Sequence, residues 1–347
     1  MGTGSGLTGM CRPVNSLGPL DDASTGAVRY YSLARFAFLE ALRLWGVGQG
    51  QRVLLPSFIC RDLLAPVALL GATPCWYDVG PALAPMEPPE AWPEASVVLA
   101  ANYFGFPQEL APFIAYAERT GARVLEDNAH GYLSRDRRGR WLGTRAPFGL
   151  LSFRKTLRVP DGAALLCNDP DLAKVVPAQI PSNGEGIQSA QSIKTRLRRI
   201  PLIGSALLRM ATTVVRMRRM QKTGSAVPLL DPLSESNIPF SPNPWSGLLS
   251  AISQTDGQAE IARRRALYVE CAQQGERYRV DPVFPSLPEL CAPYGYPFRG
   301  GVSGISAMQR VADRMRFDLV TWPDLPEAVW QTAPAHYRNV HLINFLW

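Results

Sequence analysis

The chain has 347 residues, 46% of them hydrophobic and 19% charged, and a net charge of +7. That composition supplies a large core, argues against wholesale disorder, and contains no apolar run of the roughly 18 residues a membrane span needs. Nine of the positive charges fall between Gly186 and Leu230, a stretch without Asp or Glu, so the rest of the chain is slightly acidic. The start, MGTGSGLTGMCRPVNS, has no basic segment followed by an apolar one, so no secretory signal is read there. Six Cys, at 11, 60, 75, 167, 271 and 291, form no CxxC pair, and there are three His. Zinc and a disulfide framework are disfavoured, and a cytoplasmic chain with reduced thiols is expected.

From about residue 26 to 170 the pattern alternates helix and strand. ARFAFLEALRLWGV (34–47) has apolar residues at helical spacing and runs out at glycine. QRVLLPSF (51–58) reads as a strand, DLLAPVALLGA (62–72) as a helix stopped by Gly71, and TPCWYDV (73–79) as a strand. ASVVLAANYFG (95–105) is a near-continuous apolar run, expected of a strand buried on both faces. ELAPFIAYAERTG (109–121) is a helix, and ARVLEDNAHG (122–131) a strand with a polar end. This alternation predicts a mostly parallel sheet flanked by helices, whose ligands collect at the carboxyl ends of the strands. Three polar strand ends, Asn102-Tyr103, Glu126-Asp127-Asn128 and Ser152 to Lys155, are expected on that one edge. Residues 171–245 are richer in Ser, Gly, Pro and Arg, and 190–222 reads as basic amphipathic helix interrupted at Pro201. Helix returns from about 246, and the tail reads as a smaller α+β unit.

Two residues carry the chemistry. In LSFRKTLRVPDGAAL (151–165), Lys155 stands between a strand end and the turn Pro160-Asp161-Gly162. It is either a loop lysine in water or an amine held in a pocket, its pKa lowered so that it attacks a carbonyl. Asp127 ends the buried strand RVLED and needs a cation: a structural salt-bridge partner, or the pyridine nitrogen of pyridoxal phosphate.

The order of ARFAFLEALRLWGVGQGQRVLLPSFIC, GATPCWYDV, NYFGFP, VLEDNAHG and LSFRKTLRVPDGAAL resembles the DegT/DnrJ/EryC1/StrS family. These are fold-type I, pyridoxal-phosphate-dependent aminotransferases acting mainly on nucleotide-linked keto sugars. The resemblance implies a large α/β domain over 26–180 after an arm at 1–25, a basic helical insertion at 181–245 and a small α+β domain at 246–347. It places Lys155 at the Schiff-base lysine, with Gly162-Ala163 where a Gly-Gly pair usually follows. Asp127 falls on the aspartate facing the pyridine nitrogen, and His130 on a position usually filled by Gln, which contacts the ring hydroxyl. Ala34 and Arg35 fall on the turn whose backbone N–H groups bind the phosphate, and Cys60 near the residue packing on the ring. The family's phosphate-binding Ser lies five residues before the lysine, which is Leu150 here; Ser152, three before it, is the substitute, with Arg154 or Arg35 helping. For the residues a partner subunit contributes, Asn237 and Asn243 are the candidates.

The resemblance implies a cytoplasmic homodimer moving an amine from an amino acid, glutamate or glutamine, to a keto sugar for a polysaccharide, glycolipid or natural product. No nucleic-acid motif accompanies the basic segment. The alternative expectation is a non-catalytic descendant that docks on a membrane surface or polyanion through 190–222.

Overall fold

The computed structural model of the protein describes residues 18–22, 25–176, 232–238 and 241–346. The basic helices expected over 190–222 and most of the expected arm at 1–25 lie outside the described residues.

After strand β1 (Ala27–Tyr31), helix α1 (Ala34–Leu44) turns Ala37, Phe38, Ala41 and Leu42 into the core, the spacing read from the sequence. Strand β2 (Arg52–Pro56), helix α2 (Leu64–Leu69), strand β3 (Thr73–Tyr77) and strand β4 (Val97–Ala101) follow. Helix α3 (Ala111–Thr120) ends at Gly121, whose φ of 76° is the left-handed stop that glycine adopts without a Cβ clash. Strands β5 (Arg123–Asn128), β6 (Phe148–Ser152) and β7 (Ala163–Cys167) complete the sheet, and the short helix α4 (Pro170–Val175) is capped by the Asp169 carboxylate. Every residue of β4, β6 and β7 is buried, as continuous apolar runs require of strands covered on both faces.

Among the described residues the strand order is β1-β7-β6-β5-β4-β2-β3. The pairs from β3 to β6 are parallel, whereas β7 is antiparallel to β6 and β1 is antiparallel to β7. β1 escapes a pattern reading because its first four residues are all partly buried and show no alternation. The parallel register aligns Ala101 with Asp127, and Asp127 with Leu150, so the carboxyl ends of β4, β5 and β6 share one edge.

The rest of the chain adds helices α5 (Leu248–Ser253), α6 (Gly257–Arg277) and α7 (Val302–Met315) and a second, antiparallel sheet. Its order is β10 (Asp318–Thr321), β11 (His341–Asn344), β9 (Gly295–Arg299) and β8 (Asp281–Pro282). One apolar cluster runs from the large sheet through Phe298, Met308 and Leu342 of this unit, so both sheets share a core. No described helix is long and apolar enough to cross a membrane.

β6 carries the site segment, and its packing leaves no room at Gly149. A Cβ there would overlap the carbonyl oxygen of Gly143, a backbone atom with no way to step aside. Gly149→Ala is expected to cost about 1–3 kcal/mol or more, as overpacking in a rigid interior does. Urea unfolding at fixed temperature measures it, and a wild-type midpoint would show that the strand shifts freely.

Candidate active site

A cavity of about 230 Å³ opens on the shared strand edge. Ala34, Arg35, Cys60, Asp127, His130, Ser152 and Lys155, singled out in the sequence, all line it. Asn237 and Asn243 are exposed and do not line it, and Leu150 is buried within β6. Trp322, which no sequence signal pointed to, enters from beyond β10. Its loop is held to the large sheet where Arg61 N–H donates to the Asp324 carbonyl (2.8 Å) and the Arg61 guanidinium pairs with Glu235 (2.8 Å).

The two acidic residues ending β5 face opposite sides, as neighbours on a strand must. Glu126 is fully buried and neutralised by Arg145, whose Nε and Nη2 both donate to its carboxylate (2.8 and 2.6 Å). Asp127 points into the cavity and accepts the Ala129 N–H (2.9 Å). Burial pushes its pKa up, opposed by that hydrogen bond and by Lys155. Among the described residues no guanidinium or ammonium forms an ion pair with it.

Lys155 ends a 3-10 turn, Phe153–Lys155, directly after β6. Side chains three apart eclipse in such a turn, so Ser152 and Lys155 share a face, while Phe153 is driven into the core. Gly162, at φ 137°, brings its carbonyl onto the Phe153 N–H (2.9 Å) and closes the turn. Burial lowers the Lys155 pKa and the Arg154 guanidinium adds to the shift; Asp127, Cys60 and Asp62 oppose it. Burial likewise raises the Cys60 thiol to about 11, so Cys60 is a neutral wall. Arg35 pairs with Asp62 (3.6 Å), whereas the Arg154 guanidinium and the Ser152 hydroxyl make no hydrogen bond or ion pair with another described residue. They lie beside the start of α1, which Leu33 leaves without a side-chain cap.

His130 is held on every side. Phe104 and Tyr294 lie stacked with it (5.6 and 4.6 Å between centroids), and Trp322 meets it edge-on (5.2 Å). Its Nδ1 accepts the Phe104 N–H (3.2 Å) and its Nε2 lies 3.0 Å from Lys155 Nζ. Phe104 adopts a left-handed backbone (φ 54°), which costs a bulky residue about 1–3 kcal/mol. Burial holds the His130 pKa well below its usual value, and any charge on Lys155 would lower it further.

Arg264 of α6 is another residue the sequence did not disclose. It is 1% exposed, pairs with Glu260 (2.7 Å), and donates to the carbonyls of Lys155, Thr156, Pro293 and Tyr294. It thereby ties the lysine turn to the loop that stacks on His130. Helical spacing in AEIARRRALY marked it only as one of three consecutive arginines.

Residues 34–206, about half of the chain, match the DegT/DnrJ/EryC1/StrS aminotransferase family. The fold resembles the aminotransferase TlmJ from Streptoalloteichus hindustanus at 20% identity, covering 92% of this chain and 80% of that one, with a TM-score of 0.55. It also resembles S. venezuelae DesV (18% identity, 96% and 85% covered, TM-score 0.61). A third neighbour is the E. coli GDP-4-keto-6-deoxy-D-mannose-3-dehydratase with bound hydrated PLP (12%, 96% and 88%, 0.59).

Two measurements follow from this geometry. Arg264→Leu removes the guanidinium from the carbonyls of Lys155, Thr156 and Pro293, whereas Glu260 keeps Arg263 and the Tyr294 carbonyl keeps the Phe345 N–H; it is expected to cost about 3–5 kcal/mol in urea unfolding, and a smaller loss than about 1 kcal/mol would mean water replaces the guanidinium. For His130, the unfolded imidazole takes up a proton as the pH falls through about 6.5, and the folded one does not. The unfolded state then binds more protons, so stability falls with pH below that value. Urea titrations from pH 8 to 5 should show a shallower loss in His130→Gln than in wild type, His341 supplying a shift of the same sign in both. Equal slopes in the two proteins would contradict a neutral His130.

Proposed function

Because the chain belongs to the DegT/DnrJ/EryC1/StrS aminotransferase family, it is a pyridoxal-phosphate-dependent transaminase, and we propose that it moves an amine from glutamate or glutamine to a nucleotide-linked keto sugar. The observation that carries this reading is the meeting of three incompletely paired groups in one cavity: the Lys155 amine, the Asp127 carboxylate and the Arg154 guanidinium.

These residues fit the cofactor. Asp127 offers a buried carboxylate to a ring nitrogen, and Arg154, Ser152 and the uncapped N–H groups at Ala34 and Arg35 offer donors to a phosphate. Pyridoxal phosphate, when bound, supplies an electron sink for the carbon that loses and gains the proton. In this reading Lys155 carries the cofactor through Nζ. With the cofactor bound, Nζ would serve as general base and then general acid for the proton that the substrate carbon loses and gains. Asp127 would keep a proton on the ring nitrogen. With the cofactor bound, His130 Nε2 would be free to donate to the ring hydroxyl instead of to Nζ, and Cys60 would bound the ring as an uncharged wall.

The substrate class rests on resemblance. The E. coli neighbour is named for a GDP-linked keto sugar. Dehydration, the reaction that name gives, is disfavoured by Lys155, since the family's dehydrating members lack the lysine. A homodimer belongs to the same reading, as does a division into an arm, a large domain to about 180, a basic insertion and a small domain from about 246.

The test is the visible spectrum after incubation with pyridoxal phosphate, beside Lys155→Ala. Wild type is expected to gain a band that borohydride fixes as a mass adduct on the Lys155 peptide and that glutamate or glutamine bleaches. The variant is expected to lose both the band and the adduct. A band unaffected by the mutation would remove the lysine's role, and bleaching by neither amino acid would remove the proposed donor.

A further inference from the structure

His130 has two ring nitrogens, and each faces a group whose hydrogens can be counted. At Nδ1 stands the backbone N–H of Phe104 (3.2 Å), a donor that never titrates. Nδ1 therefore carries a lone pair. An imidazole with lone pairs on both nitrogens would be an anion, so Nε2 carries the hydrogen. That Nε2–H lies 3.0 Å from Lys155 Nζ. An ammonium has three hydrogens and no lone pair, so it cannot accept; a neutral amine can.

We propose that Phe104 is a positioning residue: its backbone N–H fixes His130 as the Nε2–H tautomer, and His130 in turn holds the Lys155 amine in its neutral, nucleophilic form. The strained turn acquires a purpose on this account. The left-handed backbone of Phe104 accompanies an N–H aimed at Nδ1 and a ring laid on the imidazole. The Tyr294 N–H donates to the Phe104 carbonyl (2.8 Å), tying together the two residues whose rings stack with His130. A flipped imidazole would put carbon at both hydrogen-bonding positions, so the stack also preserves the tautomer.

The charged and titratable groups around the amine divide. Arg154, on the same turn, favours the neutral amine, as does burial; Asp127 from β5, and Cys60 and Asp62 from the loop after β2, favour the ammonium. With Asp127 so near, burial is opposed, and the hydrogen-bond pattern at His130 is the discriminating constraint. The catalytic meaning of this device rests on Lys155 being the cofactor-bearing amine; the device itself is present in the cofactor-free chain.

The test uses the full-length chain stripped of cofactor. With 15N-labelled histidine there are three imidazoles to follow, and His130→Gln identifies the signal of His130. That signal is expected to show the Nε2–H tautomer and to stay neutral from pH 8 to pH 6. An Nδ1–H tautomer, or charging within that range, would overturn the proposal. Lys155 is then probed with trace acetic anhydride and read by peptide mass. A Gln at 130 can turn its oxygen toward Nζ and accept from an ammonium, which the fixed Nε2–H cannot. Labelling of Lys155 at pH 7 is therefore expected to fall at least tenfold in His130→Gln, and unchanged labelling would refute the coupling. If that variant fails to fold, His336→Gln and His341→Gln identify the His130 signal by elimination, and its tautomer still decides. A chain that passes both tests yet takes up no pyridoxal phosphate would sink the proposed function and leave this inference standing.

Discussion

The guanidinium of Arg264, buried at the start of α6, donates to the carbonyls of Lys155 and Thr156 on one side and of Pro293 and Tyr294 on the other. A charge so deep is tolerable only with its partner Glu260 and a full set of acceptors. Those acceptors are the backbone of the two loops that make the site. Geometry at the cavity is thus paid for by a charge outside it, and the lysine turn cannot drift without leaving a buried cation unsatisfied. Trp322 is held by a parallel device on the other wall, where Arg61 joins the backbone of Asp324 to the carboxylate of Glu235.

Within that frame the cavity keeps polar groups incompletely matched. Glu126 and Arg145 show how the same sheet neutralises a charge when nothing else is required: two guanidinium N–H groups on one carboxylate oxygen, the Arg145 backbone N–H on the other, buried and closed to the cavity. Asp127, one residue on, receives one backbone N–H and faces inward. Arg154 is desolvated, which lowers its pKa, yet makes no ion pair with a described residue. Such groups favour a ligand with a cationic site toward Asp127 and an anion toward Arg154, because it would supply the missing partners in a medium where charges interact strongly.

Much of the fold was legible because continuous apolar runs and helical spacing are local. Parallel strands then force their carboxyl ends onto one edge, so Asp127 and Lys155 could be brought together from sequence. β1 was missed because a half-buried edge strand has no period to read. Arg264, Tyr294 and Trp322 were missed for a different reason. Trp322 reaches the cavity, and Arg264 and Tyr294 reach residues that line it, from more than 100 residues downstream of Lys155, and only tertiary packing brings them there. His130 was noticed as a position; its tautomer is set by one backbone N–H on a neighbouring strand end, which leaves no mark in composition or spacing.

The spacing of Ser152 shows how a departure in sequence can preserve an arrangement in space. Counting five residues back from Lys155 reaches Leu150, whose side chain is buried in β6 and cannot reach the cavity. An extended chain would put Ser152 and Lys155, three apart, on opposite faces. The 3-10 turn at Phe153–Lys155 removes that alternation and brings both into the same cavity. The shorter path also places Arg154 there, a fixed positive charge beside an amine. Its field disfavours the ammonium at Lys155 while attracting an anion toward Ser152 and the start of α1. One short turn thus links two demands of the proposed chemistry, a neutral amine and a held phosphate.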